Sequence, residues 1–222
     1  VDLRSGARTK LLDAQFTGAH VGGVSPDGRY FLYWRDARWH AIELATAKRI
    51  LLGAGAPSFV NTEFDYTFEK PAYGITGFTP DGAAAIIPTR FDLWLVPLDG
   101  SAARNLTLGT GTREQIVFRP LRLAAPDTIA RPGDRARREI DITQPLVLSA
   151  YGEWTKRSGF YRLADGRLTP LLYEDASFST PSKATGADRV LFTRQTFAEF
   201  PDLRIAGTDF SAAQRVSDAN PQ

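Results

Sequence analysis

Cysteine and methionine are absent from the 222 residues, and histidine occurs only twice. Without cysteine there can be no disulfide and no thiolate metal site. Its absence is compatible with an oxidising compartment, so a periplasmic or secreted location is favoured over a cytoplasmic one. No apolar run approaches the roughly eighteen residues of a membrane-spanning helix. The formal net charge is only +2, a weak attraction for polyanions, so neither nucleic acid nor membrane is expected as a partner. The opening "VDLRSGARTK" has no apolar core and no cleavage site, so it does not read as a signal peptide. With no initiator methionine, the chain is expected to be processed or to be a piece of a longer one. A long amphipathic helix is missing too. The best candidate, Arg131 to Ile142, carries Pro132 and Gly133 and shows no apolar stripe.

Aromatic residues are plentiful, with 14 Phe, 7 Tyr and 4 Trp, a composition that favours strands. They fall into a repeat. "SPDGRYFLYW" begins at Ser25 and "TPDGAAAIIP" at Thr79. Each Pro-Asp-Gly turn precedes a mostly apolar run, and a second run opened by Trp39 or Trp94 follows. Asp and Gly suit such turns because they tolerate positive φ. A further pattern starts with Leu or Ile, passes through small and polar residues, and ends on a basic residue followed by apolar ones. It occurs at Leu3, Leu44, Leu98, Leu163 and Ile205, in steps of 41, 54, 65 and 42 residues. Five copies of one hairpin, with short strands in a unit of about 40–45 residues, describe a β-propeller. The expectation is an all-β fold: a partial or small β-propeller of about four full blades plus one extra hairpin at the start. The chain is read as one propeller domain or propeller fragment over 1–222. The longer steps imply insertions at 53–74 and 125–145, the latter an exposed loop by its Gly, Pro and Arg content. Within each blade the Pro-Asp-Gly turn should join the first two strands.

The turns "SPDGRY" and "TPDG", the segment "PLVLSAYGEWTKRSGFYRLADGRLTPLLYED", and the "FPDL" strand followed by "RVSDANPQ" carry a resemblance. The chain resembles the propeller domain of serine peptidases of the prolyl oligopeptidase family, dipeptidyl peptidase IV among them, and more loosely TolB-like propellers. The resemblance covers essentially the whole chain but only the non-catalytic part of the family pattern. It implies that an α/β-hydrolase domain of the same parent chain is a partner, that this domain lies outside 1–222, and that peptides are the substrate. The propeller would restrict and orient peptide access. The alternative is a stand-alone TolB-like module that binds proteins. A third class, a propeller glycosidase or lyase, requires paired carboxylates, and no duplicated acidic motif supplies them.

No catalytic residue is expected in this chain. The nearest approach to a Gly-x-Ser-x-Gly elbow is "GVSPDG" around Ser25. There the residue after the serine is Pro26, which has no N–H for an oxyanion hole. His20 and His40 have no acidic or histidine neighbour at metal-ligand spacing, so they read as surface or loop residues, and no metal or cofactor is expected. Arg131, Arg135, Arg137 and Arg138 could bind an anion, but Asp127, Asp134, Glu139 and Asp141 nearly cancel them, which favours a solvated loop. The substrate-binding candidates are Glu153, Trp154 and Arg157 in "YGEWTKRSGFY". A carboxylate beside an aromatic ring there could recognise a peptide amine. The competing reading is a structural loop with Trp154 packed between blades.

Overall fold

The structure is a computed structural model and describes residues 4–123 and 139–219. It is all-β apart from one helical turn at Gly18–His20 and a short helix, α1 (Thr110–Glu114). Four antiparallel sheets follow one another along the chain. The first is β1 (Val21–Val24), β2 (Tyr30–Arg35), β3 (Arg38–Glu43) and β4 (Arg49–Leu51). The second is β5 (Gly77–Phe78), β6 (Ala84–Pro88), β7 (Leu93–Pro97) and β8 (Arg104–Asn105). The third is β9 (Ile116–Leu121), β10 (Leu146–Gly152), β11 (Ser158–Ala164) and β12 (Arg167–Glu174). The fourth contains β13 (Ser177–Phe178), β14 (Ser182–Lys183), β15 (Val190–Gln195), β16 (Asp202–Ala206) and β17 (Gln214–Arg215), with β13 and β14 both pairing β15. Consecutive four-stranded meanders are the repeating unit of a β-propeller, the fold class read from the sequence.

The hairpins at Leu44, Leu98, Leu163 and Ile205 each join the third strand of a sheet to the fourth. The remaining copy behaves differently: from Arg4 to Thr17 the chain forms no strand. A lone two-stranded hairpin without a third strand or a packed face is marginal, and residues 4–10 are all exposed. Arginines from the first sheet hold this segment instead. Arg35 donates to the carbonyls of Asp13 and Ala14, and Arg49 donates to that of Leu11.

Both Pro-Asp-Gly turns join the first and second strands of their sheets, with φ of +76° at Gly28 and +67° at Gly82. Their bonds match. The Ser25 hydroxyl donates to Asp27 at 2.6 Å and accepts from the Tyr30 amide; the Thr79 hydroxyl donates to Asp81 and accepts from the Ala84 amide. In the fourth sheet, "ATGADR" between β14 and β15 closes the same way, Ala184 N–H donating to Arg189 O at 2.9 Å, with Ala184, Thr185 and Gly186 where the other turns have Ser or Thr, Pro and Asp. Trp39 and Trp94 are each the second residue of a third strand, and both indole N–H groups are buried without an acceptor among the described residues.

The turn carboxylates give the fold a pH signature. Burial works to raise the Asp27 pKa, but hydrogen bonds from Ser25 and Arg29 outweigh it and hold the carboxyl below its usual range. The Thr79 hydroxyl and the Ala83 amide lower Asp81 in the same direction. Groups with depressed folded values contribute stability that is full above the unfolded value, near 3.8, and is lost as pH falls through the folded value. The urea midpoint should therefore hold down to about pH 4 and then fall steeply. The double variant D27N/D81N should start from a lower midpoint and lose less below pH 4. Parallel acid limbs for the variant and the native chain would contradict this account of the turns.

The described residues divide into two compact units: 4–89, 94–104 and 139–140 in one, and 90–93, 105–123 and 141–219 in the other. The first has a core of Leu32, Trp34, Trp39, Phe59, Phe78, Ile87 and Val96 among others, with Trp34 and Trp39 edge to face at 5.4 Å. The long insertion after β4 is anchored here, since Trp34 Nε1 donates to Lys70 O at 2.9 Å and Val60 bridges Ala72. The second unit has an aromatic cluster of Phe160, Phe178, Phe192 and Phe210, with Phe160 stacked on Phe210 at 4.4 Å. Much of the expected exposed loop at 125–145 lies outside the described residues. Its end does not remain a free loop: Glu139 bridges Phe78 and Ile140 is buried.

Candidate functional site

Glu153, Trp154 and Arg157 lie in the tight turn between β10 and β11. Gly152 N–H donates to Arg157 O and Lys156 N–H donates to Gly152 O, both at 2.9 Å, which closes the turn. Glu153 N–H donates to Gln115 O at 2.9 Å and ties the turn to the residue after α1. The Glu153 carboxylate pairs with Arg90. Arg157 donates to the Tyr173 carbonyl and its guanidinium lies 4.7 Å over the Tyr173 ring. Both charged candidates are thus held by protein partners. Trp154 is 78% exposed, so it is not packed between sheets. A residue at the tip of a two-strand turn has no layer on either side to bury it.

The same turn borders a cleft of about 580 Å³ between the third and fourth sheets, within one compact unit. One wall is Tyr151, Lys156 and Ser158; the other is Phe178, Gln195 and Phe197, with Asp175 between them. The walls are fixed by bonds across the two sheets. Arg194 on β15 pairs with Glu174 on β12 at 3.0 Å and also with Glu199. The Ser158 hydroxyl donates to Ala176 O at 2.6 Å. Phe197 is fully exposed and Tyr151 nearly half exposed. Lys156 Nζ lies 5.8 Å over the Tyr151 ring. The cleft therefore offers aromatic faces, one ammonium and one carboxylate within a single hollow. A smaller hollow of about 170 Å³ adjoins it and shares Tyr151, Ser158 and Phe178.

Sequence reading found the turn but not Tyr151, Asp175, Phe178 or Phe197. These residues come from the end of β10, from Asp175 and β13 after β12, and from the connection after β15, and only sheet stacking brings them together. Their one sequence signal was aromatic residues at or near strand ends: Tyr151 near the end of β10, Phe178 at the end of β13 and Phe197 just after β15.

The other candidates have settled structural places. Ser25 is buried and its hydroxyl is used within the turn. His40 stacks on Tyr33 at 5.1 Å with Nε2 3.3 Å from Arg35 O, and burial pushes its pKa below the ordinary value. His20 sits against Phe16 at 5.4 Å. Among the described residues no three acidic or histidine side chains are grouped as metal ligands would be. Of the basic cluster, Arg131, Arg135, Arg137 and Arg138 lie outside the described residues.

No protein-family model matches the chain, and no curated protein matches it. Solved structures do. A putative TolB from Agrobacterium tumefaciens is 16% identical with a TM-score of 0.44, over 89% of this chain and 61% of that one. TolB from Acinetobacter baumannii is 11% identical with a TM-score of 0.39, over 87% of this chain and 42% of that one. A puromycin hydrolase is 13% identical with a TM-score of 0.41, over 89% of this chain and 29% of that one. The chain thus spans less than two thirds of each of these structures. At such identities and scores the function has to be argued from the residues of this chain.

Proposed function

We propose that the chain is a non-catalytic, propeller-type module that binds extended peptides in the cleft between its third and fourth sheets, and that it restricts and orients their access to a hydrolase domain of the same parent chain. The observation that carries the reading is the cleft. Its volume of about 580 Å³ falls in the roughly 300–1,000 Å³ range of ligand pockets. Tyr151, Phe178 and Phe197 present apolar surface for peptide side chains. Lys156 can meet a peptide carboxylate and Asp175 a peptide amine. Trp154, exposed in the adjoining turn, supplies a further ring. The mechanism is selection by shape and charge, with no bond made or broken on this chain. The hydrolase partner rests on the resemblance of the repeat to prolyl oligopeptidase-family propellers; a periplasmic or secreted setting fits the absence of cysteine.

The test is titration of the isolated chain with hexapeptides of mixed sequence, with free and with blocked termini. Binding should weaken about tenfold in Y151A and F197A, as for aromatic anchors at interfaces. K156A should lose the preference for a free C-terminal carboxylate. A library that binds the native chain and both aromatic variants equally would refute the cleft assignment. A serine-directed fluorophosphonate should leave the chain unlabelled, and a labelled serine would refute the non-catalytic reading. A parent sequence with a Gly-x-Ser-x-Gly elbow after Gln222 would favour the hydrolase partner over the stand-alone module.

A further inference from the structure

A second cleft, of about 570 Å³, lies at the opposite end of the same two sheets. β11 runs from Ser158, which lines the aromatic cleft, to Arg162, which lines this one. At about 3.3 Å per residue the two ends are separated by roughly 13 Å. Arg189, just before β15, and the connection from β16 to β17 complete the lining. The two clefts differ in kind. This one has no aromatic residue in its lining and carries Arg162, Arg189, Asp188 and Asp209.

The two acids are engaged locally. Asp188 accepts the Thr208 hydroxyl at 2.7 Å. Asp209 accepts the amide and hydroxyl of Ser211 at 3.0 and 2.8 Å. The Ser211 amide and hydroxyl, and beyond them the charge of Arg162, hold the Asp209 carboxyl below its usual range. Arg162 thus feels Asp209 across the cleft, but neither Arg162 nor Arg189 is closed into an ion pair or a side-chain hydrogen bond with a described residue. Gly207 keeps the space beside Asp209 and Arg189 open. A Cβ there would lie 2.8 Å from Asp209 Oδ1 and 3.9 Å from Arg189 Nη1.

We propose that this cleft binds a small organic oxyanion carrying two or more negative charges, a phosphate monoester or a polycarboxylate, through Arg162 and Arg189. Guanidinium groups present planar forks of N–H donors that suit phosphate and carboxylate oxygens. Two of them in one hollow favour a multivalent anion over a single carboxylate. Asp188 and Asp209 retain acceptor capacity beyond their present bonds, which selects ligands that also carry hydroxyl groups. This site is independent of the peptide cleft and uses none of its residues.

The test is calorimetric titration of the chain with inorganic phosphate and with citrate, against sodium chloride at matched ionic strength. Phosphate, citrate or both should bind, and chloride should not; the arm that binds tells phosphate chemistry from polycarboxylate chemistry. R162Q and R189Q should each weaken binding at least about tenfold, as expected for charge-assisted contacts, and the double variant should abolish it. R104Q, which removes an exposed cation on β8, should bind as the native chain does. Each variant is first checked for a native circular dichroism spectrum and urea midpoint, with R162K and R189K replacing any that fails to fold. The proposal is overturned if neither anion exceeds chloride, if the cleft variants bind like the native chain, or if R104Q weakens binding as much as they do.

Discussion

Replacing Gly159 by alanine is expected to lower the stability of the unit built from the third and fourth sheets by about 3 kcal/mol or more, an overpacking cost added to backbone strain. Gly159 has φ +155°, and a Cβ there would stand 1.9 Å from the Leu172 carbonyl oxygen on β12. That oxygen is main chain in a paired strand, so it cannot swing away as a side chain would. The neighbouring register shift between Phe160 and Tyr161 shows where the ladder already adjusts. Relief would require β12 to leave β11, the strand that supplies Ser158 to one cleft and Arg162 to the other. G159A should therefore show a lowered urea midpoint and lose peptide and anion binding together. G166A, in the open β11–β12 turn at φ +67° with nothing within 4 Å of its Cβ position, should cost about 1 kcal/mol. Equal midpoints for the two variants would contradict the packing described for Gly159.

Asp92 carries the other large expected effect. It is only 1% exposed. Its Oδ1 accepts the Thr107 hydroxyl at 2.6 Å and the Gly111 amide at 3.0 Å; its Oδ2 accepts the amide and hydroxyl of Thr112 at 2.9 and 2.5 Å. Four donors, from α1 and from Thr107 in the connection before it, thus converge on one carboxylate. Alanine would leave them without acceptors in a buried place, at a cost of about 3 kcal/mol or more, since each orphaned buried donor is expensive. D92N keeps the volume and one acceptor oxygen and should lie between the native chain and D92A. The check is equilibrium urea unfolding of all three. A D92A midpoint indistinguishable from the native one would show that these bonds are replaced by water at little cost.

These two residues also mark what the sequence could and could not reveal. The repeat was legible because turn chemistry is local. Pro-Asp-Gly at 26–28 and 80–82, and the small polar hairpin tips, specify φ and hydrogen bonds within a few residues. "ATGADR" was missed because it makes the same backbone bond with Thr185-Gly186-Ala187 in place of Pro-Asp-Gly. The opening hairpin was over-read because its residues resemble the other copies, while a strand also needs a partner and a packed face. In the candidate site, the unusual composition of 151–161 pointed to the turn that borders the proposed cleft. It did not show that Glu153 faces Arg90, that Arg157 covers Tyr173, or that Trp154 stands in solvent. Those outcomes depend on residues 16 to 63 positions away. Asp92 reads in sequence as an ordinary acidic residue beside Phe91; its donors come from Thr107, Gly111 and Thr112, 15 to 20 positions away.

If peptides are held in the aromatic cleft between the third and fourth sheets, photo-crosslinking should locate them there. A hexapeptide carrying a benzophenone side chain is irradiated with the chain, and the attachment points are located by mass spectrometry. Adducts are expected at Tyr151 to Lys156 and Gln195 to Phe197, suppressed by an excess of unmodified peptide. Adducts spread over the surface without suppression, or confined to residues outside this cleft, would contradict the cleft assignment.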